Sequence, residues 1–190
     1  MARPKSDEKR AAIMAAATRI IAAHGLRAST ASIAQEAGVS NGALFTYFDT
    51  KSALLNALYL QIKADMAQAT LVDLPLDADL RGQMRHVWDR WVAWAQAHPQ
   101  QRRALAELSV SHELSAATRA TAAESYAGIA TLLERSRAHG VLRDAPLLLV
   151  GALVVGLLDA TVDTMTRDAS HATHATHANI GFEALWRMLA

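Results

Sequence analysis

The chain has 190 residues, 52% of them hydrophobic, with a formal net charge of +1, four prolines and no cysteine. That length allows one or two compact domains, and the lack of cysteine excludes disulfides and thiolate metal sites. A polar, charged beginning unlike a secretory signal, and no uninterrupted run of about 18 apolar residues, lead to the expectation of a soluble cytoplasmic protein without a membrane span. Abundant alanine and scarce proline favour helices over strands. Charge is unevenly spread: residues 1–51 carry seven Lys/Arg against four Asp/Glu, and residues 52–190 carry twelve against fourteen. A basic head on a slightly acidic body suits a protein that sets one end on phosphate.

Arg3 and Lys5 flank Pro4 and form either a frayed terminus or an arm that touches the DNA backbone or minor groove. Ser6 or Asp7 then caps a first helix running to about His24, with Ile13, Ala16, Ala17, Ile20 and Ile21 at helical spacing. Gly25 ends it, and Leu26 is expected to pack back on it. A second helix carries the stripe Ile33, Ala34 and Ala37, with the Thr30 hydroxyl as its expected cap. Gly38 supplies the left-handed backbone that stops this helix, and Val39 fills the corner. Ser40 caps a third helix, Asn41 to Tyr47, whose inner face is Leu44 and Phe48. Two helices joined by a short turn with a glycine make a helix-turn-helix, and the second of them fits the DNA major groove. Its outward residues, Asn41, Gly42, Ala43, Thr46 and Tyr47, are small, polar or aromatic, and none is acidic. Gly42 and Ala43 let the backbone approach base edges, while Thr46 and Asn41 can read bases. Lys51, at the next helix start, can meet a phosphate.

The run from Gly38 to Leu55, GVSNGALFTYFDTKSALL, resembles the DNA-binding signature of TetR-type transcriptional regulators. It departs at Phe45, where the family usually has tyrosine, and at Ser52, where glutamate is usual. The resemblance implies an all-α homodimer with two N-terminal DNA heads and a C-terminal body that senses a small molecule. The expected architecture is a three-helix DNA-binding domain over residues 1–51 and a helical ligand-binding and dimerisation domain over residues 52–190, about nine helices in all. Double-stranded operator DNA is the implied partner, contacted by Thr30, Ser40, Asn41, Gly42, Ala43, Thr46, Tyr47 and Lys51. No cofactor is expected.

A fourth helix, Lys51 to about Ala69, has the stripe Leu54, Leu55, Leu58, Ile62 and Met66, and is the expected mechanical link between head and body. Leu71 to Leu76 reads as a connection. The next helix, from near Asp77 to before Pro99, has the apolar line Leu80, Met84, Val87, Trp88, Trp91 and Trp94. Those tryptophans are either core packing or the wall of an apolar ligand cavity. Pro99 starts a helix to about Ser111 with Leu105, Leu108 and Val110 inward. Ser109, Ser111 and His112 lie close in sequence, but no sharp turn surrounds a serine as a hydrolase would need, so no enzymatic activity is expected. His112 serves better as a polar contact in a pocket. Residues 115–139 read as one amphipathic helix, capped by Ser115 and closed by Gly140, in which Tyr126 faces either a cavity or an interhelical seam. The candidate ligand set is therefore Trp88, Trp91, Trp94, Leu108, His112 and Tyr126.

From Pro146 the chain is apolar on every face, so this helix is expected to meet the core on one side and a partner subunit on the other. Gly151 and Gly156 would admit a close neighbouring helix. Asp159 and Asp163 lie one turn apart and are expected to be solvated or to contact the partner. HATHATHA, holding His171, His174 and His177, reads as a solvated low-complexity connection; its steps of three do not give the i, i+4 pair that puts two histidines on one face, and no metal site is assigned. A last helix, Ile180 to Leu189, needs a cover. The simplest cover is the Pro146 helix and the same pair from a second subunit, giving a homodimer through helices 146–167 and 180–189. Taken together, the chain reads as a homodimeric repressor released from a palindromic operator by a small, mainly apolar ligand. The alternative is a DNA-binding dimer without such an inducer, controlled by a protein partner.

Overall fold

The computed structural model describes residues 3–168 and 170–190, with the side chains of residues 3–5 and of His171 outside the description. The arm residues Arg3 and Lys5 therefore lie outside the described side chains. Among the described residues the chain is all helical: α1 (Arg3–His24), a 3-10 turn (Gly25–Arg27), α2 (Thr30–Glu36), α3 (Asn41–Tyr47), α4 (Lys51–Leu71), α5 (Leu80–Ala97), α6 (Pro99–Ser109), α7 (Ala116–Ser125), α8 (Ala127–Ser136), α9 (Leu147–Arg167) and α10 (His171–Leu189).

Two compact units divide these helices, one holding Met1–Asp65 with His98–Glu124, the other Met66–Ala97 with Ser125–Ala190. The grouping differs from the expected division at residue 51, because α6 packs on α1 and so joins the first unit. In that unit Ile13, Ala16, Ala17 and Ile21 of α1, Ile33 and Ala34 of α2, Leu44 of α3, and Leu54, Leu55, Leu58 and Ile62 of α4 are all buried. Asn56 ties α4 to the turn before α7: its Nδ2 donates to the Glu113 carbonyl at 2.8 Å and its Oδ1 accepts from the Ser115 N–H at 3.0 Å.

In the second unit α5 packs on α8, α9 and α10, and α9 on α10. The inner face of α9 is Val150, Val154, Leu158, Val162 and Met165; that of α10 is Phe182, Leu185 and Leu189. At Gly181 these helices approach closely, since a Cβ there would meet Thr161 and the Trp88 ring. Gly151 and Gly156 were the expected points of close approach, yet a Cβ at either would meet nothing of this chain within 4 Å. By length and hydropathy alone α9 could cross a bilayer: it has 21 residues and a mean hydropathy of 1.9 over its most apolar window. Its packed inner face instead makes it a bundle helix with one uncovered side, where Leu148 is 88% exposed and Leu149, Leu153 and Val155 are also open.

Several local expectations are corrected. Residues 115–139 are two helices, broken at Tyr126 (φ −106°, ψ 6°). The break falls where the chain leaves one compact unit for the other, so the halves bury different faces, Thr118 and Ala122 before it, Leu132 and Leu133 after it. Val110 is 76% exposed rather than inward, because α6 ends at Ser109. The histidine repeat is helical: α10 begins at His171, with Asp168 accepting from the Ser170 N–H and from the Thr173 hydroxyl to hold its first turn. A His-Ala-Thr repeat is no barrier to helix once a carboxylate just ahead of it holds the first turn. These hydrogen bonds hold the Asp168 carboxyl below the usual carboxylate range. One organiser has no signal in hydropathy. Arg137, buried, pairs with Glu134 and sets Nη1 at 2.5–2.8 Å from the carbonyls of Leu142, Arg143 and Ala145, fixing the turn that leads to α9.

Candidate nucleic-acid interface

The helix-turn-helix is built by local chemistry. Ser29 caps α2: its hydroxyl accepts from the Ser32 N–H at 3.0 Å. Thr30, the expected cap, is instead the first helical residue, since the extended backbone a cap requires falls one position earlier (Ser29 φ −83°, ψ 154°). At the other end Gly38 takes φ +68°. Its N–H reaches the Gln35 carbonyl at 3.1 Å while that of Val39 reaches the Ala34 carbonyl at 2.9 Å. This paired arrangement satisfies two end carbonyls of α2 and turns the chain sharply. Ser40 then caps α3 by accepting from the Ala43 N–H at 3.1 Å. Leu44, fully buried, and Phe48, 5% exposed, anchor α3 to the unit beneath it.

What remains outward on α3 is a narrow, uncharged ridge. Ser40, Asn41, Gly42 and Thr46 are exposed, and Ala43 and Tyr47 half-buried. The Thr46 hydroxyl donates to the Gly42 carbonyl at 3.3 Å, leaving its oxygen lone pairs outward. A Cβ on Gly42 would find only the Ser40 hydroxyl, at 4.0 Å, so nothing inside the protein requires a glycine there. Phe45 is 39% exposed on the same short helix. Its exposure has no signal in the residue type, since an aromatic side chain fits a buried face equally well. Lys51 opens α4, but its ammonium already donates to the Leu26 carbonyl at 2.7 Å, closing the 3-10 turn after α1. Two of its three N–H donors remain for an outside acceptor. Arg10 of α1 lies over the Phe48 ring at 5.3 Å, and Arg19 pairs with Glu36 at 2.7 Å, bracing α1 against both helices of the motif.

A scaffold helix, a capped turn and a short helix presenting backbone and small polar groups together form the geometry of a major-groove reader. Residues 13–58 match the family described as "Bacterial regulatory proteins, tetR family". A putative tetR family transcription regulator from Shewanella sp. PV-4 has the same fold along nearly its whole length: TM-score 0.82, 28% identity, 94% of this chain and 96% of that one. Residues 13–58 are therefore similar to the DNA-binding region of tetR-family regulators, and the chain shares their fold. Among curated relatives, the HTH-type transcriptional regulator EthR of Mycobacterium tuberculosis is 34% identical over 87 residues, covering 44% of this chain and 40% of EthR. The match thus spans well under half the length of that relative. FadR from Bacillus subtilis, solved in complex with stearoyl-CoA, shares the fold at TM-score 0.69 and 18% identity, over 95% of this chain and 99% of that one.

The residues considered for a ligand site are distributed between the units. Leu108, fully buried, and His112, exposed, belong to the first; Trp88, Trp91, Trp94 and Tyr126 belong to the second. Trp88 is 1% exposed and donates its indole N–H to the Ala178 carbonyl at 2.9 Å. Trp88 and Trp91 border a void of about 20 Å³ with Ile129, Val154 and Leu185. Trp94 is buried away from this void, because steps of three residues rotate each tryptophan by about 60° from the last. Around Ser109 and Ser111 the hydroxyls serve the helix end. Ser109 donates to the Leu105 carbonyl at 2.7 Å, and Ser111 accepts from the Glu113 N–H at 3.0 Å.

Proposed function

We propose that this protein is a cytoplasmic homodimeric transcriptional repressor of the tetR type that inserts α3 into the major groove of a palindromic operator. The observation that carries the reading is the open ridge of α3, where Gly42 is free of any internal packing demand and the flanking side chains are small and uncharged. Thr30, Ser40, Asn41, Gly42, Ala43, Thr46, Tyr47 and Lys51 are the proposed contacts, with Phe45 added from its exposure. The uncovered apolar side of α9, together with Ile180 of α10 at 61% exposure, supports a dimer through these two helices. Gly151 and Gly156 on α9, open within the chain, leave room there for a second subunit.

Release follows from a population shift. The DNA-competent form sets two recognition helices about 34–36 Å apart, one turn of DNA. A small, mainly apolar effector lowers affinity by its preference for another spacing, and α4, which runs from the first unit into the second, is the proposed carrier. The long acyl chain of the stearoyl-CoA in the FadR structure is a precedent for an apolar portion of the effector, its coenzyme A part being charged. A second reading, a DNA-binding dimer governed by a protein partner, is favoured by the small void beside Trp88 and Trp91.

Sedimentation at micromolar concentration and gel shift on DNA flanking the gene test the proposal together. A monomer, or a dimer that leaves every flanking palindrome unshifted at low salt, would end it.

A further inference from the structure

We infer that Phe45 is a specificity-determining residue for DNA, and that it selects one thymine in each half-site through the C5 methyl group of that base. The inference rests on the proposed insertion of α3 into the major groove. Successive residues of a helix turn by about 100°, so Gly42, Phe45 and Thr46 fall within about 100° of one another on α3. All three are exposed, while Leu44 is fully buried. Gly42 lies between the other two around the helix axis and carries no side chain. A base edge can therefore come down on the bare backbone between the Phe45 ring and the Thr46 side chain, because nothing of the protein within 4 Å other than the Ser40 hydroxyl fills that space.

The chemistry of this stripe limits what it can read. No Lys or Arg lies within Asn41–Tyr47, so α3 itself lacks the bidentate cation that commonly reads guanine. The Thr46 hydroxyl hydrogen is committed to the Gly42 carbonyl, so toward DNA that group accepts and does not donate. Phe45, 39% exposed, neither donates nor accepts. Of the four bases only thymine presents an apolar group in the major groove, its C5 methyl, and phenylalanine is among the side chains that suit it. The ring thus reads the feature that hydrogen bonds cannot, while Asn41 and Thr46 remain for the polar edges.

Deoxyuracil in place of thymine tests this, since it keeps the hydrogen-bonding edge and removes only the methyl group. DNA bound by the full chain is selected from a random pool, and the selected duplex is rebuilt with each thymine exchanged in turn. Fluorescence anisotropy at fixed salt is expected to find one thymine per half-site where the exchange weakens binding about fourfold, the worth of one buried methyl group, and about fifteenfold when both half-sites are changed. Placing 5-methylcytosine there should bind more tightly than cytosine, because it returns the methyl on another base. Phe45→Ala should lose both preferences at that position and keep the natural chain's ranking at the others. A selected duplex in which no thymine responds to the exchange, or a response that Phe45→Ala retains, overturns the assignment and leaves the DNA reading standing. A pool from which the natural chain enriches no sequence removes the DNA reading itself, and the inference with it.

Discussion

Replacing Gly42 with alanine sets stability against recognition. Gly42 is the second residue of α3, and the added methyl would lie 4.0 Å from its nearest neighbour in the protein. Alanine is preferred to glycine in a helix by about 0.5–1 kcal/mol, partly through reduced freedom of the unfolded chain. For a chain of this size that gain raises Tm by about 1–4 °C. If base edges or a phosphate approach the Gly42 backbone, the same methyl occupies that space, and operator affinity should fall at least tenfold, about 1.4 kcal/mol. Gly128→Ala is the matched control, because Gly128 is likewise the second residue of its helix and a Cβ there makes only ordinary contact with Leu71 at 3.8 Å. It should stabilise without altering DNA binding. Thermal melts followed by circular dichroism, with fluorescence anisotropy on operator DNA at fixed salt, read both quantities. A Gly42→Ala protein that is more stable and binds DNA as well as the parent refutes the assignment of this ridge to the groove.

Lys51→Ala is expected to weaken binding to all sequences, reducing the salt slope by about 0.9, and to cost about 1–2 kcal/mol of stability through the lost bond to the Leu26 carbonyl; an unchanged slope would take Lys51 out of the phosphate contacts. Ser29→Ala should cost about 1 kcal/mol in urea unfolding and Thr30→Ala distinctly less, with the reverse order returning the cap to Thr30. Leu148→Arg, at a position 88% exposed, should leave helicity unchanged and raise the dimer dissociation constant at least a hundredfold by ultracentrifugation. The Asp168 carboxyl, lowered by the Thr173 hydroxyl and the Ser170 N–H, stabilises the fold fully above its ordinary value of 3.8 and loses that contribution as pH falls through the depressed folded value. Asp168→Asn should therefore be less stable than the parent at neutral pH, and the gap should close under acid; a gap constant from neutral to acid pH would contradict it.

The grouping of helices bears on how a signal could travel. α6 packs on α1 and belongs with the recognition motif, so a chain division drawn at the end of the helix-turn-helix cuts through one compact body.

By itself the sequence determined the bounds of α3, the Ser40 cap, the left-handed stop at Gly38, the buried stripes of α1 and α4, and the family signature; the Ser29 cap of α2 and the Asp168 bonds to the first turn of α10 are equally local, but which of several adjacent side chains takes such a role is not set by period. The features so determined depend on dihedral preference, capping and a period of about 3.6 residues, all readable in a short window. Tertiary structure broke the chain at Tyr126, where one compact unit gives way to the other, and put Trp88 and Trp91 but not Trp94 beside one void. It also left one side of α9 uncovered. Those outcomes depend on which surfaces meet across long stretches of chain, and periodicity states only that a face must be covered, not by what.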